Sequence, residues 1–154
     1  AKIKNEVLAQ IQINADSANW PEHTSSLLNL SLKYPANWFK QEKKDLLTLA
    51  SYDLESTSTP AIFTKIIITR IINSNTEITS LIANKSDYLK SSEEIFIDLW
   101  PVEKYHQKLS AENNLSYLLF INNTKNIYKI DIYSNNKSIF EFTINKILST
   151  IDLL

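Results

Sequence analysis

The sequence predicts an α+β domain in which helices pack on one antiparallel sheet. Several segments alternate apolar and polar residues with the period of a strand, and two others carry apolar residues at helical spacing. Predicted strands and helices do not alternate in the regular order that a parallel βαβ sheet requires. At 154 residues, with 44 % hydrophobic and 21 % charged residues, the chain has the length and composition of one globular domain.

Each predicted strand either alternates apolar and polar residues or is rich in β-branched residues, and residues typical of turns lie at its ends. The predicted strands are residues 28–34, 45–52, 63–72, 94–100, 115–121 and 127–133. The segment FTKIIITRII at 63–72 is apolar on both faces, which places it centrally in the sheet. The connection NNTKN joins the last two strands and predicts a β-hairpin. Residues 102–112 fit a strand or a short helix equally well, and both alternatives stay open.

The predicted helices begin at capping-box spacings, Ser74 to Glu77 and Ser138 to Glu141. The first covers about 75–90. Its apolar face consists of Ile78, Leu81, Ile82 and Leu89, and that of the second consists of Phe140, Ile144, Ile147, Leu148 and Ile151.

A third amphipathic helix is expected near the N-terminus. Ile3, Val7 and Ile11 recur at helical spacing within 1–13, and a polar, breaker-rich stretch follows. The expected organisation is therefore an N-terminal helix and linker at 1–24, which could serve as an anchor or docking stub, and a globular domain at 25–154.

The composition excludes several kinds of site. The chain contains no cysteine, so thiol nucleophiles, disulfides and zinc-thiolate sites are impossible. It contains no glycine either, which removes the phosphate-binding loops built on that residue, and turns must use asparagine, aspartate and serine. A net charge of −1 gives no electrostatic footprint for nucleic acid or anionic lipid. No cofactor is expected.

Histidine offers weak candidates for a metal site. Glu103 and His106 are three residues apart, and a helix would place both on one face, as a pair of metal ligands requires. No neighbouring residue supplies a third ligand, so a solvated face is the commoner explanation. His23, next to Glu22 in the predicted loop, has even less support.

Paired acids and tryptophans are the remaining candidates. Glu94 and Asp98 share a face of the predicted strand 94–100, which a hydrolase acting on glycosidic bonds could use, although a charged outer face explains them as well. Trp20, Trp38 and Trp100 lie at the ends of elements. Such tryptophans can form a binding platform, but they more often close the end of a core.

Two stretches of the chain resemble PsbP-like domains. LSLKYPANW, from Leu30 to Trp38, resembles the opening motif of a strand, an aromatic residue, proline and tryptophan. IYKI from Ile127, with residues 140–144 and KILSTI at 146–151, resembles the last strand and closing helix of those domains. The chain departs from the family in lacking glycine. The resemblance covers roughly 25–154. It implies an α/β/α sandwich around an antiparallel sheet, in a class whose members mostly act as binding or assembly factors rather than enzymes, often outside the cytoplasm.

The expected function is that of a non-catalytic, extracytoplasmic interaction domain with a protein partner. The chain begins at Ala1 and contains no methionine, from which we expect a bacterial, lipoprotein-like protein that was tethered through an upstream segment, its one link to a membrane. One alternative is a subunit of a surface assembly, such as a pilus or S-layer-like coat, that docks through residues 1–20. A second is a hydrolase, and a cytoplasmic location is the alternative compartment.

Overall fold

The computed structural model describes residues 19–154, and the predicted helix at 1–13 lies outside this range. The described part contains two antiparallel sheets and one α-helix, α1 (Lys137–Ser149). The strands are β1 (Glu22–Ser25), β2 (Leu30–Lys33), β3 (Phe39–Lys43), β4 (Leu46–Ala50), β5 (Thr64–Ile72), β6 (Tyr88–Lys90), β7 (Ile95–Ile97), β8 (Trp100–Gln107), β9 (Leu115–Asn122), β10 (Asn126–Ser134) and β11 (Asp152–Leu153).

The larger sheet has the strand order β3-β4-β5-β10-β9-β8-β6, and β7 pairs with the other end of β8 on the same edge as β6. The smaller sheet has the order β1-β2-β11. The predicted hairpin is confirmed as β9–β10, and β5 pairs on both sides, as its apolar faces predicted. Residues 100–107 form strand β8. The part of the ambiguous segment 102–112 that ends at Gln107 is therefore a strand and not a helix.

One face of the larger sheet packs under α1 and the smaller sheet, and we call it the helix face. Its buried side chains include Ile66, Ile68, Leu119, Ile121, Tyr128 and Ile130, which join Leu30, Leu32, Ile144 and Ile147 in one core. The hydroxyl of Tyr128 donates a hydrogen bond of 2.6 Å to the carbonyl oxygen of Leu28. This bond connects β10 to the turn between β1 and β2, so it ties the smaller sheet to the larger one.

The opposite face of the larger sheet, which we call the open face, has less cover. Residues 75–90 form two short 3-10 helices, Ile78–Leu81 and Lys85–Asp87, followed by β6, so the predicted α-helix here is wrong. The segment contains several β-branched residues, and Asn84 adopts a left-handed conformation that interrupts a helix. Ile78 and Ile82 nevertheless pack on Phe120 and its neighbours. Sheets therefore dominate residues 19–154. Of the helices that the expected α/β/α sandwich requires, this part of the chain contains one, α1.

The N-terminus of α1 differs in detail from the capping box predicted at Ser138. Asn136 is the N-cap, and its Oδ1 accepts from the backbone N–H of Ile139 at 3.2 Å. Ser138 lies inside the first turn and donates to the same oxygen at 2.7 Å. The predicted apolar face of the helix is confirmed, since Ile144 and Ile147 are buried, although the buried Ile151 follows the end of the helix.

The turns show how the chain folds without glycine. Most residues with positive φ are asparagine or aspartate, as predicted, namely Asn29, Asp45, Asn75, Asn84 and Asp98. Leu99 and Thr124 also have positive φ, 66° and 75°. A left-handed conformation costs such residues about 1–2 kcal/mol because Cβ approaches the following carbonyl oxygen. These two turns are therefore strained.

The ends of the described part add two observations. Trp20 lies in the main core, and β1 begins at Glu22. Within residues 19–154, no helix is long and apolar enough to cross a membrane.

Candidate functional site

A cleft of about 600 Å³ lies on the helix face, between α1 and strands β8 and β9. We call it the helix-side cleft. Its floor includes Tyr117 and Leu119 of β9, and one wall is formed by α1. Glu93, which precedes β7, and Ile95, the first residue of β7, border the opposite side. The cleft thus brings together parts of the chain that are far apart in sequence.

The periodicity of each element places these side chains. Lys104 and His106 of β8 stand opposite Leu119 and Tyr117 of β9 in the register of the sheet, so all four side chains project from the helix face. On α1 the cleft wall consists of residues spaced three or four apart, which lie on one side of a helix, namely Lys137, Glu141, Asn145 and Leu148. Three regular elements therefore hold the cleft, which favours a fixed shape.

Tyr117 lines the cleft and is only 8 % exposed. The Nζ of Lys104 lies 4.7 Å from the centroid of its ring, within the range of a cation–π contact. Burial, with a smaller contribution from the charge of Glu141, raises the pKa of the Tyr117 hydroxyl well above its ordinary value. The phenol therefore stays protonated and can act as a hydrogen-bonding group for a ligand, but not as a base at neutral pH.

Charges of both signs surround the cleft. Lys104 lies 3.9 Å from a carboxylate oxygen of Glu93, and Lys137 and Glu141 contribute one further charge of each sign. His106 lines the same space and is exposed. This balance does not favour a phosphate or another strong anion. It suits a ligand that carries amide groups and both kinds of charge, as an extended polypeptide does.

The structure separates Glu103 from His106, the two candidate metal ligands. Both lie in β8 at an odd spacing, so their side chains project from opposite faces of the sheet. Glu103 is on the open face and accepts a hydrogen bond of 2.7 Å from Lys90, which raises the pKa of that lysine. Among residues 19–154, no group of three or more His, Asp or Glu side chains is placed to hold a metal ion.

His23 lies in strand β1 and not in a loop, and its ring contacts β3, so it links the two sheets. Its Nε2 is 3.1 Å from Glu42, and the Nζ of Lys40 is 3.1 Å from its Nδ1. The ammonium can only donate, so the proton of the ring lies on Nε2 and points to Glu42. The hydroxyl of Ser25 also donates to Glu42 rather than to His23. The group therefore lacks the serine–histidine contact that a nucleophile needs.

The remaining candidates have structural contacts. Asp98 lies in the turn between β7 and β8, where its Oδ2 accepts from the backbone N–H of Leu153 at 2.8 Å, and Glu94 is an exposed residue before β7. Trp20 and Trp38 are each 8 % exposed and belong to the main core. Trp100 is half-buried and packs against that core. The three tryptophans thus lie in or against the core, and none of them lines the helix-side cleft.

Sequence reasoning singled out His106 and missed the other polar residues that form the cleft. Lys104 and Tyr117 were not among the candidates, because neither belongs to a recognisable motif. The alternation of Val102, Lys104 and His106 with Glu103 and Tyr105 was the available signal, since it assigns a strand and separates the two faces. No sequence pattern indicated that one side of α1 would lie beside them.

Comparisons with known structures identify the fold. The solution structure of the cyanobacterial PsbP protein, CyanoP, from Synechocystis sp. PCC 6803 has a TM-score of 0.52 and 12 % identity, over 87 % of this chain and 92 % of that one. A crystal structure of a protein from Bacteroides thetaiotaomicron VPI-5482 has a TM-score of 0.57 and 11 % identity over 86 % of this chain, which spans 48 % of that protein.

These identities are low, so the two likenesses concern the fold alone. No family model matches the chain, and no curated protein matches it in sequence. The chain has a distant PsbP-like fold, as the two sequence stretches suggested.

Proposed function

We propose that this chain is a non-catalytic accessory domain that holds an extended, polar segment of a protein partner in the helix-side cleft. The observation that carries the proposal is the arrangement at Tyr117, where a buried, protonated phenol lies under the ammonium of Lys104 in a cleft bordered by both signs of charge. The PsbP-like fold supports it, because related domains are expected to bind other proteins.

The size and lining of the cleft fit a peptide better than a compact metabolite. A volume of about 600 Å³ lies within the usual range for ligand sites, and it accommodates a few residues of an extended chain. Asn114 and Asn145 line it with amide groups that can pair with a peptide backbone, while Ile95 and Leu148 provide apolar contact. Such a lining gives orientation through hydrogen bonds and affinity through burial.

The contacts of the reactive side chains favour binding over catalysis. The phenol of Tyr117 is kept protonated, and the Lys104 ammonium lies beside Glu93. Asp98 accepts a hydrogen bond from the backbone N–H of Leu153, and the hydroxyl of Ser25 donates one to Glu42. These groups stabilise the fold or the cleft walls. A hydrolase built on Glu94, Asp98 or His106 would have to use groups that do not share one site.

A peptide-binding measurement tests the proposal directly. Twelve-residue peptides of mixed charge, arrayed as a library of defined sequences, are screened by fluorescence polarisation against the full chain. We expect Lys104→Glu to weaken every genuine hit at least tenfold, about 1.4 kcal/mol. Lys43→Glu is the control, because Lys43 is an exposed lysine on β3, far from the cleft in strand order. Lys104→Gln, which adds no charge, repeats the test with less risk to the fold.

Two results would overturn the proposal. One is a set of hits whose affinity is the same in the wild type, Lys104→Glu and Lys104→Gln. The other is hydrolysis of nitrophenyl ester or glycoside substrates that is lost in Glu94→Gln, Asp98→Asn or His106→Ala. Activity that survives all three substitutions would rule out a hydrolase built on these residues.

We also propose that the domain works outside the cytoplasm. The PsbP-like fold supports such a location, because domains of that class are often expected outside the cytoplasm, and the absence of cysteine is compatible with either compartment. Fractionation of the source cells provides the test. We expect the protein in the extracytoplasmic or surface fraction, and its recovery entirely with the cytosol would contradict this part of the proposal.

A further inference from the structure

The helix-side cleft has two unlike ends, and the register of the sheet sets their order. On its floor, Tyr117 and Leu119 follow one another on the helix face of β9, and the next residue of β9 on that face is Ile121. Ile121 pairs with Val102 of β8, which in turn pairs with Ile95 of β7. The cleft therefore runs along the strands from the phenol of Tyr117, past Leu119, to the side of Ile95.

Helix α1 runs along the cleft in the same direction. Its first residue donates its backbone N–H to the carbonyl oxygen of Asn113 at 2.7 Å, two residues before β9 begins. One turn later, the charge of Glu141 contributes to the raised pKa of Tyr117, so these two side chains are close together. Leu148 lies about 10 Å further along the helix, at 1.5 Å per residue. This direction brings Leu148 to the end of the cleft that Ile95 borders.

This end of the cleft is apolar, and we call it the inner end. It is formed by Ile95, Leu119 and Leu148. Leu119 is buried, whereas Ile95 and Leu148 are half-buried against the main core and keep apolar surface towards the cleft. The carbon chain of Lys104 starts level with Leu119, but its ammonium lies 4.7 Å from the ring centroid of Tyr117. The charge of Lys104 is therefore directed away from the inner end.

The opposite end, which we call the outer end, is polar. Leu115 is the one apolar residue in its lining, which consists of His106, Gln107, Ser110, Asn114, Leu115 and Lys137. The remaining charges lie between the two ends, because Glu141 is close to Tyr117 and the carboxylate of Glu93 is 3.9 Å from the ammonium of Lys104. Both signs of charge are thus present in the cleft, and neither is directed to the inner end.

We propose that the inner end is an anchor subsite, which accepts one large aliphatic side chain of the partner segment while polar groups of the same segment lie over Tyr117 and the outer end. This inference rests on the proposed peptide site and adds a requirement to it, since a segment without an apolar residue binds weakly. Burial of the anchor supplies affinity, and the polar groups fix the direction of the segment.

The geometry of the floor also sets the spacing of the two contacts. Leu119 and Ile121 lie two and four residues beyond Tyr117 in β9. At about 3.3 Å per residue, the anchor and the polar contact at Tyr117 are roughly 7–13 Å apart, which is two to four residues of an extended segment.

Alanine substitution within the peptides tests the anchor. The probes are the twelve-residue peptides of mixed charge that bind the full chain and lose affinity in Lys104→Glu. In each of them we expect one leucine, isoleucine, valine or methionine whose replacement by alanine raises the dissociation constant at least tenfold. A polar residue that is also sensitive to replacement should lie two to four positions from it.

Variants of the inner end provide the second arm. Leu148→Ala and Ile95→Thr should each weaken anchored peptides at least fivefold. In either variant, replacing the anchor by alanine should then cost threefold or less, because the anchor has lost its apolar contact. Both residues also pack against the main core, so thermal unfolding of each variant is recorded, and Ile95→Thr keeps a β-branched residue in β7. The control is Phe142→Gln, which changes an exposed residue of α1 outside the cleft and should leave affinity unchanged.

The results separate this inference from the proposed function. Peptides whose binding depends on Lys104 but withstands alanine at every apolar position would overturn the anchor subsite and leave the peptide site standing. The same conclusion follows if the cost of replacing the anchor is unchanged in both folded variants. A library without any Lys104-dependent peptide would overturn both proposals.

Discussion

The hydrogen bond between Tyr128 and Leu28 is a sensitive point of the fold, because it joins the two sheets. Tyr128 is 1 % exposed and Leu28 is fully buried, so water cannot replace the bond. Tyr128→Phe keeps the ring but leaves the carbonyl oxygen of Leu28 without its donor. An unsatisfied buried acceptor costs about 1–3 kcal/mol, and we expect a loss of about 2 kcal/mol in the free energy of unfolding.

Urea denaturation followed by tryptophan fluorescence measures this loss. In a chain of this size, 2 kcal/mol corresponds to a fall in Tm of roughly 4–8 °C. Tyr133→Phe is the control, because the side chain of Tyr133 is 39 % exposed, and we expect a change within about 0.5 kcal/mol. If Tyr128→Phe were as stable as this control, the bond could not be what secures the smaller sheet.

Three further substitutions test other parts of the account. Burial raises the pKa of the Asp131 carboxyl, while the charge of Lys129 opposes the shift. Ionisation of this carboxyl therefore lowers the free energy of unfolding as pH rises from the ordinary pKa near 4 through the raised pKa of the folded state. Asp131→Asn should therefore raise Tm at pH 7, and the gain should fade as pH falls towards 4; a gain independent of pH would refute the cause. Thr124→Gly should stabilise the chain by about 1 kcal/mol in urea denaturation by relieving a positive φ of 75°, and a destabilised variant would show that the turn is unstrained. Asn136→Ala removes the cap of the Ile139 N–H and should cost about 1 kcal/mol by the same measurement, whereas an unchanged value would mean that the cap is dispensable.

The sequence predicted those parts of the fold whose pattern lies within a single segment of the chain. The hairpin β9–β10 and the central strand β5 followed from apolar residues at the spacing of a strand, and the buried face of α1 followed from helical spacing. The α-helix predicted at 75–90 was wrong because Ile78, Leu81 and Ile82 have the spacing of a helix, although they belong to a segment of short 3-10 helices that packs on the open face. Tertiary packing there overrides a weak helix propensity.

The candidate site depended on information that no local pattern carries. Glu103 and His106 form a plausible pair only if residues 102–112 are helical, and as strand β8 they lie on opposite faces of the sheet. Lys104 and Tyr117 meet because β8 and β9 pair in one particular register. The wall that α1 adds comes from a part of the chain beyond both strands. Long-range assembly of this kind cannot be inferred from the period of one segment.

Amide chemical shifts of the full chain, recorded while a hit peptide is added, test the central claim most directly. We predict that shifts concentrate at Lys104–Gln107, at Tyr117 and along the cleft side of α1, and that Lys104→Glu requires at least a tenfold higher peptide concentration to produce them. Shifts confined to the open face, or a peptide that is cleaved during the titration, would contradict a non-catalytic binding site between α1 and the sheet.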